Sequence, residues 1–173
     1  HELSGGMRQR VAIAAALMPQ PELLIADEPT TALDVTVQAE IIALLADLCR
    51  EFGMAMLLVT HDLGVVSGLA DRIAVMYAGR IVESAEAVRF LAGPRHPYSA
   101  GLLAAVPSLD DPPGSELRTI AGTPPRPGTI LPGCRFEPRC KHRQARCRSE
   151  DPAFFMQGAA GVACHFPLNE AER

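Results

Sequence analysis

The sequence is almost without lysine. Of its 16 basic residues only Lys141 is a lysine, and no Gly-Lys pair occurs anywhere in the 173 residues. That excludes a phosphate-cradling loop of the G-x-x-x-x-G-K-[ST] type, which needs the lysine to reach the nucleotide phosphates. Long apolar runs are also missing. None approaches the roughly 18 residues of a membrane span, and the longest, Val11 to Met18, is a short amphipathic piece. No basic segment precedes an apolar stretch, so no secretory leader is expected and a cytosolic setting is. The net charge of −4 gives no basic surplus of the kind nucleic-acid binding uses. No internal repeat is present.

What remains is a composition with 48% hydrophobic residues, enough for one core and an appendage. Ser4 is a good N-cap for a helix through Leu17 that Pro19 stops. Glu22 to Ala26 (ELLIA) and Met54 to Val59 (MAMLLV) read as short buried strands, the first of them in a parallel sheet. Between them Val37, Ile41, Leu44, Leu48 and Phe52 keep helical spacing, and Gly53 suits the position after the helix end. Asp62 to Leu69 reads as a short helix. Arg72 to Tyr77 and Arg80 to Glu83 read as a hairpin turning at Ala78-Gly79. Ser84 to Leu91 and Pro97 to Val106 are helical candidates.

Between Pro107 and Gly133 lie seven prolines and four glycines, which predicts an arm with little regular structure. A cysteine-bearing segment and a polar tail follow. The alternation of strands and helices predicts an α/β domain with a mostly parallel sheet and flanking helices. With only two or three strands, it reads as the second half of such a domain.

Four elements in that half carry chemistry. Ser4-Gly5-Gly6 precedes a helix, where close backbone N–H groups and the helix dipole favour an anion. Asp27-Glu28 ends a strand, where open α/β sheets bind ligands. An aspartate there can hold Mg²⁺ and a neighbouring glutamate can deprotonate water. Asp34 follows within a turn. His61 ends the next strand, placed to hydrogen-bond a phosphate and stabilise transferring charge. Each alone has an ordinary reading as a helix entrance, a turn or a capping histidine. Their order and spacing together argue against coincidence.

The stretches LSGGMRQRVAIAAAL, LLIADEPTTALD and LLVTHD closely resemble the signature motif, the Walker B motif with D-loop, and the switch-histidine region of an ABC-type ATPase. The resemblance covers about the first 92 residues. It implies ATP and Mg²⁺ as cofactors, Asp27 supporting Mg²⁺, Glu28 as general base and His61 as γ-phosphate sensor. Asp34 would link two sites across a dimer. Ser4, Gly5 and Gly6 would contact ATP held by a second, paralogous ATPase subunit. Met7 departs from the glutamine many ABC proteins carry, but SGGMRQR is common in importers of oligopeptides and dipeptides.

His96-Pro97-Tyr98 with SAGLLAAVP, and GCRFEPRC with two later cysteines, resemble the C-terminal extension of those importer ATPases. Residues 1–92 are therefore expected to be the C-terminal part of a nucleotide-binding domain, and 93–173 a Pro-rich, cysteine-stapled extension. The function implied is ATP hydrolysis powering peptide import at the cytoplasmic face of the membrane. Transmembrane permease subunits would be partners, with an extracytoplasmic peptide-binding protein engaged indirectly. Nickel and glutathione importers are built similarly. A contrasting reading is a non-catalytic fragment or metal-stapled interaction module. The missing phosphate loop favours it for these residues alone, which are expected to be inactive in isolation.

Cys134, Cys140, Cys147 and Cys164 have the spacing C-x5-C-x6-C-x16-C. Four thiolates can close a tetrahedral zinc site or hold an iron–sulfur cluster. The gaps exceed those typical of zinc knuckles, and the residues alone leave iron–sulfur, zinc, and free or disulfide-bonded thiols open. The resemblance implies a [4Fe–4S] cluster, with Zn²⁺ as the alternative. Arg135, Arg139, Lys141, Arg143, Arg146 and Arg148 are expected to offset thiolate charge, and Phe136, Phe154, Phe155 and Phe166 to exclude water. His142 and His165 are substitute ligands. Cys49 is expected to be a plain buried thiol.

Overall fold

A computed structural model describes residues 2–107, 118–126, 128–129 and 131–169. They fall into two compact units, 1–69 and 70–173.

The first unit is a strand–helix–strand arrangement with one helix before it. Helix α1 (Gly5–Leu17) leads to β1 (Leu23–Asp27), α2 (Val35–Phe52), β2 (Ala55–Val59) and the short α3 (Leu63–Ser67). β1 and β2 pair in parallel, Leu23 opposite Ala55 and Asp27 opposite Val59. Helix α2 makes the connection that parallel strands require. It ends on Gly53 in the left-handed region, as the spacing predicts. The core comprises Ile13, Leu24, Ala26, Ile41, Leu45 and Met54, with Cys49 packed half-buried against it. Ile41 and Leu45 are fully enclosed, and each such side chain contributes about 1.5–3 kcal/mol.

The strands differ from expectation. They are not buried on both faces but alternate, with Leu23, Ile25, Leu57 and Val59 exposed. The reason is that α1 and α2 supply apolar side chains to one face of a sheet only two strands wide.

The second unit is antiparallel, so the expectation of a mostly parallel sheet holds only for β1 and β2. Strands β3 (Arg72–Tyr77) and β4 (Arg80–Glu86) form the expected hairpin. β4 runs on through Ser84 to Glu86, where the sequence suggested helix, because Ser84 and Ala85 pair with Ala74 and Ile73 on β3. Helix α4 (Ala87–Ala92) and α5 (Pro97–Ala104) follow, then a 3₁₀ turn (Glu137–Arg139) and α6 (Ala145–Ser149).

The cysteine-bearing segment, for which no strand is expected, supplies two further strands between Cys147 and Cys164, β5 (Phe155–Gln157) and β6 (Ala160–Val162). The sheet order is β3-β4-β6-β5. Within the proline-rich arm, 108–117, 127 and 130 lie outside the described residues. Residues 118–126 have no regular structure. They are held by Arg139, whose guanidinium donates to the Ile120 and Ala121 carbonyls, both at 2.9 Å.

Candidate functional site

The carboxyl end of the two-stranded sheet brings two of the sequence-predicted residues into contact. Glu28 lies one residue beyond β1, and its backbone N–H donates to the Val59 carbonyl at 2.8 Å, extending the ladder. Its φ of 48° is in the left-handed region, which a residue with a Cβ adopts only at a cost. The turn directs its carboxylate toward the end of β2. His61 Nδ1 stands 2.8 Å from Glu28 Oε1, and the Thr31 hydroxyl donates to Oε2 at 3.1 Å. Both carboxylate oxygens are thus engaged.

The hydrogen bond with His61 holds the Glu28 carboxyl below its ordinary value, with smaller help from Thr31. The same hydrogen bond and the glutamate charge hold His61 above its ordinary value. The His61 side chain is 84% exposed and that of Glu28 39%, so an incoming ligand can reach both. Asp27 is the last residue of β1, exposed at the same sheet edge.

Ser4 and Asp34 have structural duties as helix caps. The Ser4 hydroxyl caps α1 by accepting the Met7 N–H at 3.2 Å. Asp34 caps α2 by accepting the Val37 N–H at 2.9 Å. Gly5 and Gly6 let the two helix starts approach. A Cβ on Gly6 would sit 2.8 Å from Val37 Cγ1, and one on Gly5 would sit 3.1 Å from Leu33 Cδ2. The glycine pair and the Asp34 turn are therefore neighbours. A residue not singled out from the sequence joins this edge: Gln38 Nε2 donates to Asp62 Oδ2 at 3.0 Å, tying α2 to the turn after His61.

In the second unit Cys134, Cys140, Cys147 and Cys164 border one pocket with His96, His142, His165 and Phe136. All four are unpaired thiols. The Cys134 N–H donates to the Cys147 carbonyl at 2.8 Å, and Gly133 makes that approach possible. A Cβ there would lie 2.3 Å from the Cys147 oxygen. Burial pushes the thiols of Cys134 and Cys140 up, and that of Cys164 to about 11. Among the described residues no set of three or more His, Cys, Asp or Glu side chains is arranged to hold a metal ion. Four thiols border one pocket, but neither the expected iron–sulfur cluster nor the expected zinc is shown by this arrangement.

The surroundings also depart from expectation. Arg148 and Arg143 turn to Glu137 and Arg146 to Glu150. Arg139 turns to the arm and to the Tyr77 ring, and Arg135 to the Ala78 carbonyl. These side chains are engaged by carboxylates or main-chain oxygens. Phe136 is buried and Phe166 borders the pocket, but Phe154 and Phe155 are exposed and shield nothing there. His165 Nε2 is 3.0 Å from the Glu150 carbonyl, which occupies that nitrogen.

His96 and Glu83 are the buried polar centre of this unit, and neither charge nor spacing drew attention to Glu83. Its carboxylate, 3% exposed, accepts the backbone N–H groups of Arg95 at 2.6 Å and His96 at 2.9 Å. His96 caps α5, its Nδ1 accepting the Tyr98 N–H at 3.0 Å. Burial pushes its imidazole down to about 4, so the ring is neutral.

Residues 82–147 match the family model described as oligopeptide/dipeptide transporter, C-terminal region, and residues 1–31 match that described as ABC transporter. The oligopeptide transport ATP-binding protein OppD of Salmonella typhimurium is 53% identical over 98% of this chain and 50% of its own length. OppD of Escherichia coli is 52% identical over 98% of this chain and 50% of its own. AppD of Bacillus subtilis, named likewise, is 52% identical over 88% and 46%. The chain thus spans about half the length of the relatives it matches. By these motifs and similarities it belongs to the ABC transporter family, in the branch that carries the oligopeptide/dipeptide transporter C-terminal region.

Proposed function

We propose that the chain is part of an ATP-binding subunit that powers import of peptides through an ABC transporter. Glu28 and Asp27 act at the nucleotide. The observation that carries this reading is the Glu28–His61 pair, 2.8 Å apart at the ends of adjacent parallel strands. The residues suit ATP with Mg²⁺: two successive carboxylates offer the hard oxygens this ion takes, and the paired glycines open a helix start to an anion. Asp27 would hold Mg²⁺, whose charge, when bound, neutralises phosphate oxygens.

Glu28, ionised at neutral pH and held by Thr31 when His61 turns to the phosphate, takes a proton from the attacking water. His61 exchanges its contact with Glu28 for one to the γ-phosphate. Ser4, Gly5 and Gly6 serve ATP held by a second, paralogous ATPase subunit, and Asp34 links the two sites. The lysine-bearing phosphate loop is not among these 173 residues and would come from polypeptide outside them. On this reading 1–92 close the nucleotide-binding domain and 93–173 form the extension. Permease subunits receive the motion, an extracytoplasmic binding protein delivers the peptide, and the subunit works at the cytoplasmic membrane face. In keeping with that, no helix among the described residues is long and apolar enough to cross a membrane.

The second part of the proposal concerns the four cysteines. A [4Fe–4S] cluster, ligated by one thiolate at each iron, suits thiols distributed around one pocket. Zn²⁺ held by the same thiolates is the alternative. The cluster would staple a segment that has little core of its own. Iron and acid-labile sulfide in equal amounts, near four of each per complete subunit, would support this. Colourless protein with one zinc would overturn it. For the nucleotide site, the test is ATP turnover by the complete subunit bearing Glu28→Gln: near-abolished hydrolysis is expected, and normal hydrolysis would remove Glu28 from the role.

A further inference from the structure

The ring of His96 is buried and only half used. It is 1% exposed, and its Nδ1 accepts the Tyr98 N–H at 3.0 Å. A nitrogen that accepts carries no proton, so the neutral ring bears its proton on Nε2. That Nε2 is buried and has no hydrogen-bond partner among the described residues. Orphaned buried donors are uncommon, because the water they give up must be replaced. The ring borders the pocket of the four cysteines, and Phe136 packs on it with ring centroids 5.8 Å apart. The neighbouring arginines are committed to Glu137, Glu150 and main-chain oxygens. A donor is thus held ready, in a dry setting, beside a space bounded by sulfur.

We propose that His96 is a positioning residue for the group held by the four cysteines, its Nε2–H donating a hydrogen bond to a sulfur of that thiolate-ligated cluster. This rests on the cluster reading given above. Hydrogen bonds to cluster sulfurs offset negative charge and stabilise the more negative, reduced form. The same ring caps α5 through Nδ1, so the helix start fixes the donor's direction. His96→Asn separates the two duties, since an asparagine oxygen can still cap the helix while its short amide cannot supply the Nε2 proton.

The test uses the complete subunit, purified without oxygen, as wild type and His96→Asn. The variant is expected to keep its iron and sulfide but to show a lower reduction potential. It should also lose iron to a chelator roughly ten-fold faster. Should the variant fold poorly, the wild-type protein answers alone. With ¹⁵N-labelled histidine, electron–nuclear double resonance of the reduced cluster should show coupling to one histidine nitrogen. An iron–sulfur cluster with unchanged potential in the variant, or with no histidine coupling in the wild type, overturns the hydrogen bond alone. Wild-type protein without iron and sulfide overturns the cluster reading and the hydrogen bond with it.

Discussion

His61 Nδ1 and Glu28 Oε1 lie 2.8 Å apart although 33 residues separate them in the chain. Parallel pairing of β1 with β2 puts Asp27 opposite Val59. Glu28, the first residue beyond the register on β1, and His61, the second beyond it on β2, then meet across the sheet end. A carboxylate is oriented by an imidazole without either leaving solvent.

The pair predicts a reciprocal titration. Folding raises His61 above its ordinary 6.5 through the hydrogen bond to Glu28. Its contribution is therefore fully present below 6.5 and lost as pH rises through the higher folded value. Folding lowers Glu28 below its ordinary 4.5, so its contribution is present above 4.5 and lost as pH falls through the lower folded value. In Glu28→Gln the His61 midpoint should fall back toward 6.5, followed by the imidazole proton shift in NMR. Because both groups face solvent, salt should shrink the effect. An unchanged midpoint would show that the contact is not formed in solution.

Glu83 should be costly to remove. Its buried carboxylate accepts two backbone N–H groups, at 95 and 96. Glu83→Ala leaves both donors without partners, at about 1–3 kcal/mol each. Chemical denaturation should register the loss, and amide exchange at Arg95 and His96 should accelerate. Exchange unchanged from wild type would mean that water takes over the bonds.

Gly133 has no room for a side chain, since a Cβ would lie 2.3 Å from the Cys147 carbonyl oxygen. Gly133→Ala must push apart the strand of chain bearing Cys134 and that bearing Cys147. A destabilisation of about 1–3 kcal/mol is expected, with faster labelling of Cys134 and Cys147 by a thiol reagent. Wild-type labelling rates in the variant would contradict the close approach.

Core truncation at Leu45, 1% exposed, should cost about 2–5 kcal/mol as Leu45→Ala. Val35→Ala, at 84% exposure on the same helix, should cost little. Equal losses in thermal unfolding would place the core elsewhere.

Much of the sheet end bearing Glu28 and His61 was legible because local chemistry and topology agree there. Ser4 and Asp34 cap the helices they precede, Gly53 ends α2, and Glu28 and His61 fall at adjacent strand ends. The second unit was harder to read. Ser84 and Ala85 carry no strand signal of their own, and β4 extends through them because β3 supplies partners. Phe155 to Gln157 and Ala160 to Val162 are three-residue strands, too short for a period to show. Glu83 ends the predicted hairpin with no sign of burial, and the return of the chain at Arg95 and His96 encloses its carboxylate. The arginines between the cysteines suggested a charge shell, but glutamates at 137 and 150 meet them first.

The most direct test is ATP hydrolysis by the complete subunit, assembled with its partner ATPase and permease, comparing wild type with Glu28→Gln. The substitution removes the proton-accepting charge and leaves the strand end and side-chain size intact. The account predicts ATP retained in a closed dimer with hydrolysis reduced by at least roughly 10²-fold. Hydrolysis at the wild-type rate, with the variant folded and ATP bound, would contradict it.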